Sequence, residues 1–338
     1  MNVIESGLGE LLCKTTPDEA RIWMKEKKEK KLVDKTMTAK EAVKRFIHDG
    51  DYVSIGGFGQ VRISMPIIHE MLRQGKKNLK CAGHTAVHDF DVLVAGGCVD
   101  AVDVAYIIGY EVRGLSTNSR RMVESGKIKT VEWTNGALSW RYKAAAMGIP
   151  YMPTRVMMGT DTFKRSAAKV VECPFTGEKL CLVPALYPDV AFIHVHRCDI
   201  YGNAQIDGVL VKDNDLARAA KRLILTTEEI IPTEDIRKNP ERTVIPYYCV
   251  DAVVEAPWGS HPGNMPFIYY FDEEHIADYL KASEDPEKVQ AYLHRYIYSV
   301  EDYDEYLGII GFKRLYYLKK LEQLRVKDLI PPKEEVKS

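Results

Sequence analysis

Between Thr38 and Gly148, short apolar runs alternate with amphipathic stretches, and a glycine or proline stands at most of the junctions. Thr38-Ala39-Lys40-Glu41 is a capping box ahead of Ala42, Val43, Phe46 and Ile47, which share one helical face, and Gly50 ends the segment. Tyr52 to Ile55 reads as a short strand. Residues 66–75 read as a helix with Pro66 in its first turn and Gly75 at its end. Strands at 78–82, 102–108 and 129–133 then alternate with helices at 89–95, 117–125 and 136–147. This rhythm predicts an α/β protein with a mainly parallel sheet flanked by helices. Further strands are expected at 189–199, 222–230 and 250–257, with a helix at 213–222, and the last sixty residues read as a helical tail. No repeat or low-complexity linker divides the chain. It reads as one α/β body over residues 36–320, preceded by a charged arm (1–35) and followed by a C-terminal tail (321–338). Within the arm a helix is expected over 17–31, where Glu26 and Lys30 are spaced for an ion pair.

Composition limits what such a body can do. Of the 338 residues 46% are hydrophobic and 28% charged, which suits a sizeable soluble core. The 47 basic and 48 acidic residues nearly cancel, so no overall field draws the chain to nucleic acid or an anionic membrane; an anion site has to be local. No apolar run approaches the roughly 20 residues that span a bilayer, and the N-terminus lacks a basic start followed by an apolar stretch, so a cytoplasmic protein is expected. The seven cysteines contain no C-x-x-C pair, which predicts reduced, mostly buried thiols.

The junction after Ile55 is unusual. Gly56, Gly57 and Gly59 surround Phe58 and lead through Gln60 and Arg62 to Pro66. Glycines there permit positive φ and let backbone amides approach an anion or a carbonyl oxygen. The order G-G-F-G is not the G-x-G-x-x-G of a dinucleotide site, and no G-K-[ST] follows as in a P-loop. On spacing alone, the glycines serve equally as a tight packing corner.

In its surroundings the loop says more. D-G-D-Y-V-S-I-G-G-F followed by Pro66 resembles the first motif of the class I coenzyme A transferases. GLSTNSRRMVESGKI at 114–128, AFIHVHRCDIYGNAQI at 191–206 and VDAVVEAPWGSHP at 250–262 extend the resemblance over most of residues 37–320. Within that family the chain is most similar to the α subunits of the glutaconate type. The resemblance implies a Rossmann-like fold, coenzyme A as part of an acyl-CoA substrate, no permanently bound cofactor, and a β subunit with which the chain assembles as α2β2 or higher. It also implies that a glutamate on the β chain attacks the acyl-CoA, conserving the thioester's energy through an anhydride and a glutamyl-CoA thioester. The chain departs from the family pattern at Ser54, within an otherwise apolar triplet, and at 62–64, where a third glycine before the proline is missing. Two faint copies of the nucleophile's motif, around Glu5 and Glu124, read as structural. The first has no room for a strand before it, and the second falls at a helix end beside Gly126.

The candidate site residues lie in loops beyond strand ends. Gly56, Gly57, Phe58 and Gly59 are expected to shape an acyl-thioester site. Gln60, Arg62, Arg113 and Asn118 are expected as polar contacts, the two arginines favouring an acid with a second carboxylate. His84, after the strand at 78–82, is expected to line the same pocket. Glu111, after the strand at 102–108, is the candidate acid or base; alternatively it pairs with Arg113 or Arg120 on the surface. A catalytic Glu111 would fit a second activity that the resemblance implies, a hydrolase opening a C–C bond in a cyclic acyl-CoA. His84 and His88 stand four apart near Asp89 and Asp91, but Gly83 and Thr85 put His84 in a loop, and no metal is expected. A non-enzymatic small-molecule sensor would carry a DNA-binding module, which the 35-residue arm does not supply.

Overall fold

The computed structural model describes residues 2–110 and 113–329, with side chains as far as Leu324. In chain order, β1 (Val3–Ser6) and α1 (Pro17–Glu26) form the arm. The first half of the body is α2 (Ala39–Phe46), β2 (Tyr52–Ile55), α3 (Met65–Arg73), β3 (Leu79–His84), α4 (His88–Ala95), β4 (Val99–Tyr106), α5 (Thr117–Glu124), β5 (Lys129–Glu132) and α6 (Asn135–Ala146). An excursion follows through β6 (Tyr151–Thr154), α7 (Asp161–Lys164), β7 (Lys169–Glu172) and β8 (Lys179–Pro184). The second half is β9 (Val190–Val195), β10 (Arg197–Cys198), β11 (Ala204–Gln205), α8 (Asp213–Ala219), β12 (Arg222–Thr227), α9 (Thr233–Lys238), β13 (Thr243–Ile245) and β14 (Ala252–Glu255). Helices α10 (Glu273–Ser283), α11 (Pro286–Leu293), α12 (Tyr303–Ile310) and α13 (Phe312–Leu329) complete the chain.

Seven strands form one parallel sheet in the order β14-β12-β9-β2-β3-β4-β5. Because side chains alternate across a strand, β2 feeds both faces. Val53 and Ile55 join a core with Ile67, Phe90 and Tyr279, whereas Tyr52 joins the opposite core with Trp133, Tyr142 and Leu216. Ser54 faces that second side too, its hydroxyl 3.0 Å from Tyr142 OH, which accounts for a polar residue in the buried strand. The capping box forms as the sequence predicts: Thr38 N donates to Glu41 Oε2 at 2.9 Å and Glu41 N to Thr38 Oγ1 at 3.2 Å. No helix among the described residues is long and apolar enough to cross a membrane.

Three features differ from the sequence expectation. Residues 151–184 form an antiparallel sheet with the arm, in the order β1-β7-β8-β6, from strands too short and too mixed in polarity to be read as such. The strand expected over 189–199 is two, because Arg197 and Cys198 leave the main sheet to pair antiparallel with β11. Helix α1 stops at Glu26, before Lys30 can join it, as the chain turns to bury Lys28. The Lys28 ammonium meets Asp251 at 2.6 Å, the two side chains being 1% and 7% exposed. All seven cysteines are free thiols, and six of them are buried.

Candidate functional site

The strand order reverses between β2 and β9, the chain running outward through β3, β4 and β5 on one side and through β12 and β14 on the other. In open parallel sheets, ligands bind beyond the carboxyl ends of the strands at such a reversal. The loop 56–60 leaves β2 at that point. Gly57 has φ +74°, and a Cβ on it would lie 2.3 Å from the Val61 carbonyl oxygen, so the turn closes only with glycine.

The loop amides are already engaged. Gly56 N donates to Phe192 O at 2.9 Å, Gly57 N to Asp213 Oδ1 at 2.9 Å, Phe58 N to Val61 O at 3.0 Å and Gly59 N to Thr85 O at 2.7 Å. The expectation that these amides cradle a ligand is therefore corrected. The glycines let the loop lie against its neighbours, and what it presents outward is shape. Among the described residues the Gln60 amide and the buried Gln60 Oε1 have no partner, so Gln60 carries the loop's remaining hydrogen-bonding capacity.

Beneath the loop is an ionic floor. Arg62, expected as a substrate contact, is 1% exposed; it pairs with Asp213 and donates through its other terminal nitrogen to Val209 O at 2.8 Å. Its charge is spent inside the protein. Lys212, 3% exposed, donates to Gly57 O at 2.5 Å, and burial lowers its ammonium pKa while Asp213 opposes the shift. Burial pushes the nearby Asp89 carboxyl up to about 6. Lys212 and Asp213 could not be singled out from sequence, because their partners Gly57 and Arg62 lie some 150 positions earlier.

In front of the floor, Phe58, Gly59, Gln60 and Val61 form one wall of a cavity of about 300 Å³, at the small end of ligand pockets. Val87, Gly109, Tyr110, Asn264, Tyr270, Phe271 and Ile276 supply most of the rest. The Tyr110 hydroxyl points away, 3.3 Å from Asp91 Oδ2 and 3.4 Å from His88 Nδ1. On the rim, Arg113 and Glu273 form an ion pair at 2.6 Å. Glu273, Tyr110 and the aromatic residues near 270 escape a reading by motif, since the loop before α10 carries no glycine fingerprint.

His84 ends β3 rather than lying in a loop. Its Nε2 meets Ser139 Oγ of α6 at 2.6 Å, and its ring packs edge-on against Phe58 at 5.9 Å. Burial, reinforced by the Lys212 charge, lowers its pKa to about 3, so it is neutral at physiological pH. It backs Phe58 and does not itself line the cavity. Asn118 stays outside as well: buried on α5, it donates to Asp91 Oδ1 at 3.4 Å, and the Ser116 and Ser119 hydroxyls donate to the same carboxylate. That cluster ties Tyr110 and the start of α5 to Asp91 of α4. Glu111 lies outside the described residues. Of the arginines considered as its surface partners, Arg113 pairs with Glu273 and Arg120 with Glu124 at 2.8 Å. No group of histidine, cysteine or acidic side chains among the described residues is arranged to hold a metal ion.

Fold and site together define a Rossmann-like α/β protein with a small apolar pocket at the reversal point of its sheet. The chain belongs to the coenzyme A transferase family, whose profile, Coenzyme A transferase, matches residues 36–256, and it is therefore an enzyme component. It is 34% identical to the A component of glutaconate CoA-transferase of Acidaminococcus fermentans, over 85% of this chain and 95% of that one. The crystal structure of glutaconate coenzyme A-transferase from that organism matches with a TM-score of 0.82, covering 84% of this chain and 95% of the other. Identity is again 34% with the A component of 3-oxoadipate CoA-transferase of Pseudomonas knackmussii, over 81% of this chain and 98% of the relative. It is 28% with the IpdA subunit of a cholesterol ring-cleaving hydrolase of Mycobacterium tuberculosis, over 83% and 99%.

Proposed function

We propose that this chain is the α subunit of a coenzyme A transferase that moves coenzyme A between an acyl-CoA and a small carboxylic acid. The acyl group sits in the pocket formed by Phe58, Gly59 and Gln60, on a loop whose turn Gly56 and Gly57 make possible. A β subunit brings the nucleophilic glutamate. Its carboxylate oxygen attacks the thioester carbonyl and the coenzyme A thiolate leaves, giving a mixed anhydride. The thiolate then attacks the glutamyl carbonyl, releasing the first acid and leaving a glutamyl-CoA thioester, and the second acid runs the sequence in reverse.

The observation that carries this reading is the state of the pocket's own carboxylate. Glu273, the acidic residue on the rim among those described, is held by Arg113 at 2.6 Å, which supports a pocket that binds the acyl group and receives its attacking group from the β chain. Kinship with relatives named as one component of a transferase supports the same division of labour. Gln60 is the donor available to the thioester carbonyl, through its amide N–H. The experiment is reconstitution. This chain alone should show no transfer between acyl-CoA and free acid, and adding its β subunit should restore transfer. Transfer by this chain alone would refute the proposal.

The hydrolase relative defines the competing reading, in which Glu111 is the working carboxylate. Turnover that survives Glu111→Gln in the reconstituted pair removes it.

A further inference from the structure

Among the described residues, the rim of the pocket carries one cation and one anion, Arg113 and Glu273, paired at 2.6 Å. The other arginine close by, Arg62, is buried and neutralised by Asp213. The lining is otherwise mostly apolar or aromatic, with Phe58, Val61, Val87, the ring of Tyr110, Phe271 and Ile276, and its uncharged polar side chains include Gln60 and Asn264. A second carboxylate on the acyl group would reach the rim to find two carboxylates, its own and Glu273, competing for one guanidinium; deeper in it would be desolvated with no cation to pair with among the described lining residues, and the Gln60 amide is taken by the thioester carbonyl. From this we infer that the pocket takes an uncharged, apolar acyl group with the bulk of an aromatic ring or a branched chain, in preference to a dicarboxylic one.

The inference rests on the acyl pocket of the proposed function and adds the substrate class. It reverses the sequence expectation, in which Arg62 and Arg113 favoured a dicarboxylate, because both cations have anionic partners that lie 151 and 160 positions away in the chain. Size agrees. A cavity of roughly 150 Å³ lined by aliphatic and aromatic side chains accommodates benzene, and this one, at about 300 Å³, has room for a ring together with the thioester carbonyl.

The test compares phenylacetyl-CoA, isovaleryl-CoA and glutaryl-CoA, by calorimetric binding to the full chain with its β partner and by turnover of the same complex. Phenylacetyl-CoA or isovaleryl-CoA should bind at least about tenfold more tightly than glutaryl-CoA, the discrimination expected for burying an unpaired charge. Glu273→Gln frees Arg113 and should improve glutaryl-CoA binding about fivefold or more while leaving phenylacetyl-CoA within about twofold. If that variant does not fold, Arg113→Gln should weaken glutaryl-CoA binding further and spare phenylacetyl-CoA. Glutaryl-CoA binding as tightly as the apolar pair, or better, overturns the inference, as does failure of all three to bind. The predicted binding ratios without transfer would leave the substrate class standing and refute the transferase reading alone.

Discussion

Asp213 holds Arg62 in a fully buried ion pair beneath the glycine loop, the two side chains being 0% and 1% exposed, and the same carboxylate accepts the Gly57 amide at 2.9 Å. Replacing one partner leaves the other charge buried without compensation. Asp213→Asn should lower unfolding free energy by about 3–5 kcal/mol, read from urea midpoints, and weaken acyl-CoA binding because the loop loses its anchor. A loss below about 1 kcal/mol would show that water reaches Arg62.

Gly57→Ala should be far more damaging than the same change at Gly148, although both glycines have similar φ, +74° and +70°. At Gly148 a Cβ meets nothing within 4 Å, so only the left-handed backbone is penalised, by about 1–2 kcal/mol. At Gly57 the Cβ would also meet the Val61 and Arg62 carbonyl oxygens at 2.3 and 2.7 Å. Thermal unfolding of the two variants separates these contributions, and equal losses would contradict the account of the turn.

His84 makes stability sensitive to acid. In the unfolded chain it takes up a proton near pH 6.5, as free histidine does, but in the folded chain not until about pH 3. Its contribution is therefore complete above about pH 6.5 and is lost as the pH falls toward 3, by about 1.4 kcal/mol per unit. Asp89, with its pKa pushed up to about 6, works in the opposite direction, but it cancels between wild type and His84→Asn. Between about pH 5.5 and 4.5 the wild type should lose about 1.4 kcal/mol more than the variant. Parallel pH profiles would show that His84 is protonated in the fold.

The sheet and its flanking helices were legible in the sequence because their signals are local. The capping box at Thr38 and Glu41 and the glycine turn after Ile55 each declare themselves within a few residues. The loop's place beyond the carboxyl end of β2 was legible for the same reason. What each polar residue does there was not. Arg62 and Arg113 read as contacts for a substrate carboxylate until Asp213 and Glu273 come into view, and Asn118 reads as a contact until Asp91 does. Burial and long-range pairing decide these roles, and neither leaves a mark on the nearby sequence. The small antiparallel sheet was missed for a related reason: β1 has no buried face, and it pairs with β7 more than 160 residues later.

The N-terminal arm should prove part of the folded body. Lys28 donates to Asp251 at 2.6 Å and to Lys221 O at 3.0 Å, so Lys28→Ala strands a buried carboxylate and removes the arm's inner tether. A loss of about 3 kcal/mol is expected, together with faster cleavage between residues 17 and 35 in limited proteolysis. Unchanged stability and cleavage would mean that the arm is held by other contacts.

The most direct measurement traps the covalent intermediate. The complex of this chain with its β partner is incubated with acyl-CoA, reduced with borohydride, and both polypeptides are mapped by mass spectrometry. The account predicts a reduced glutamyl thioester on one glutamate of the β chain and none on this chain; the same modification on a glutamate of this chain would contradict it.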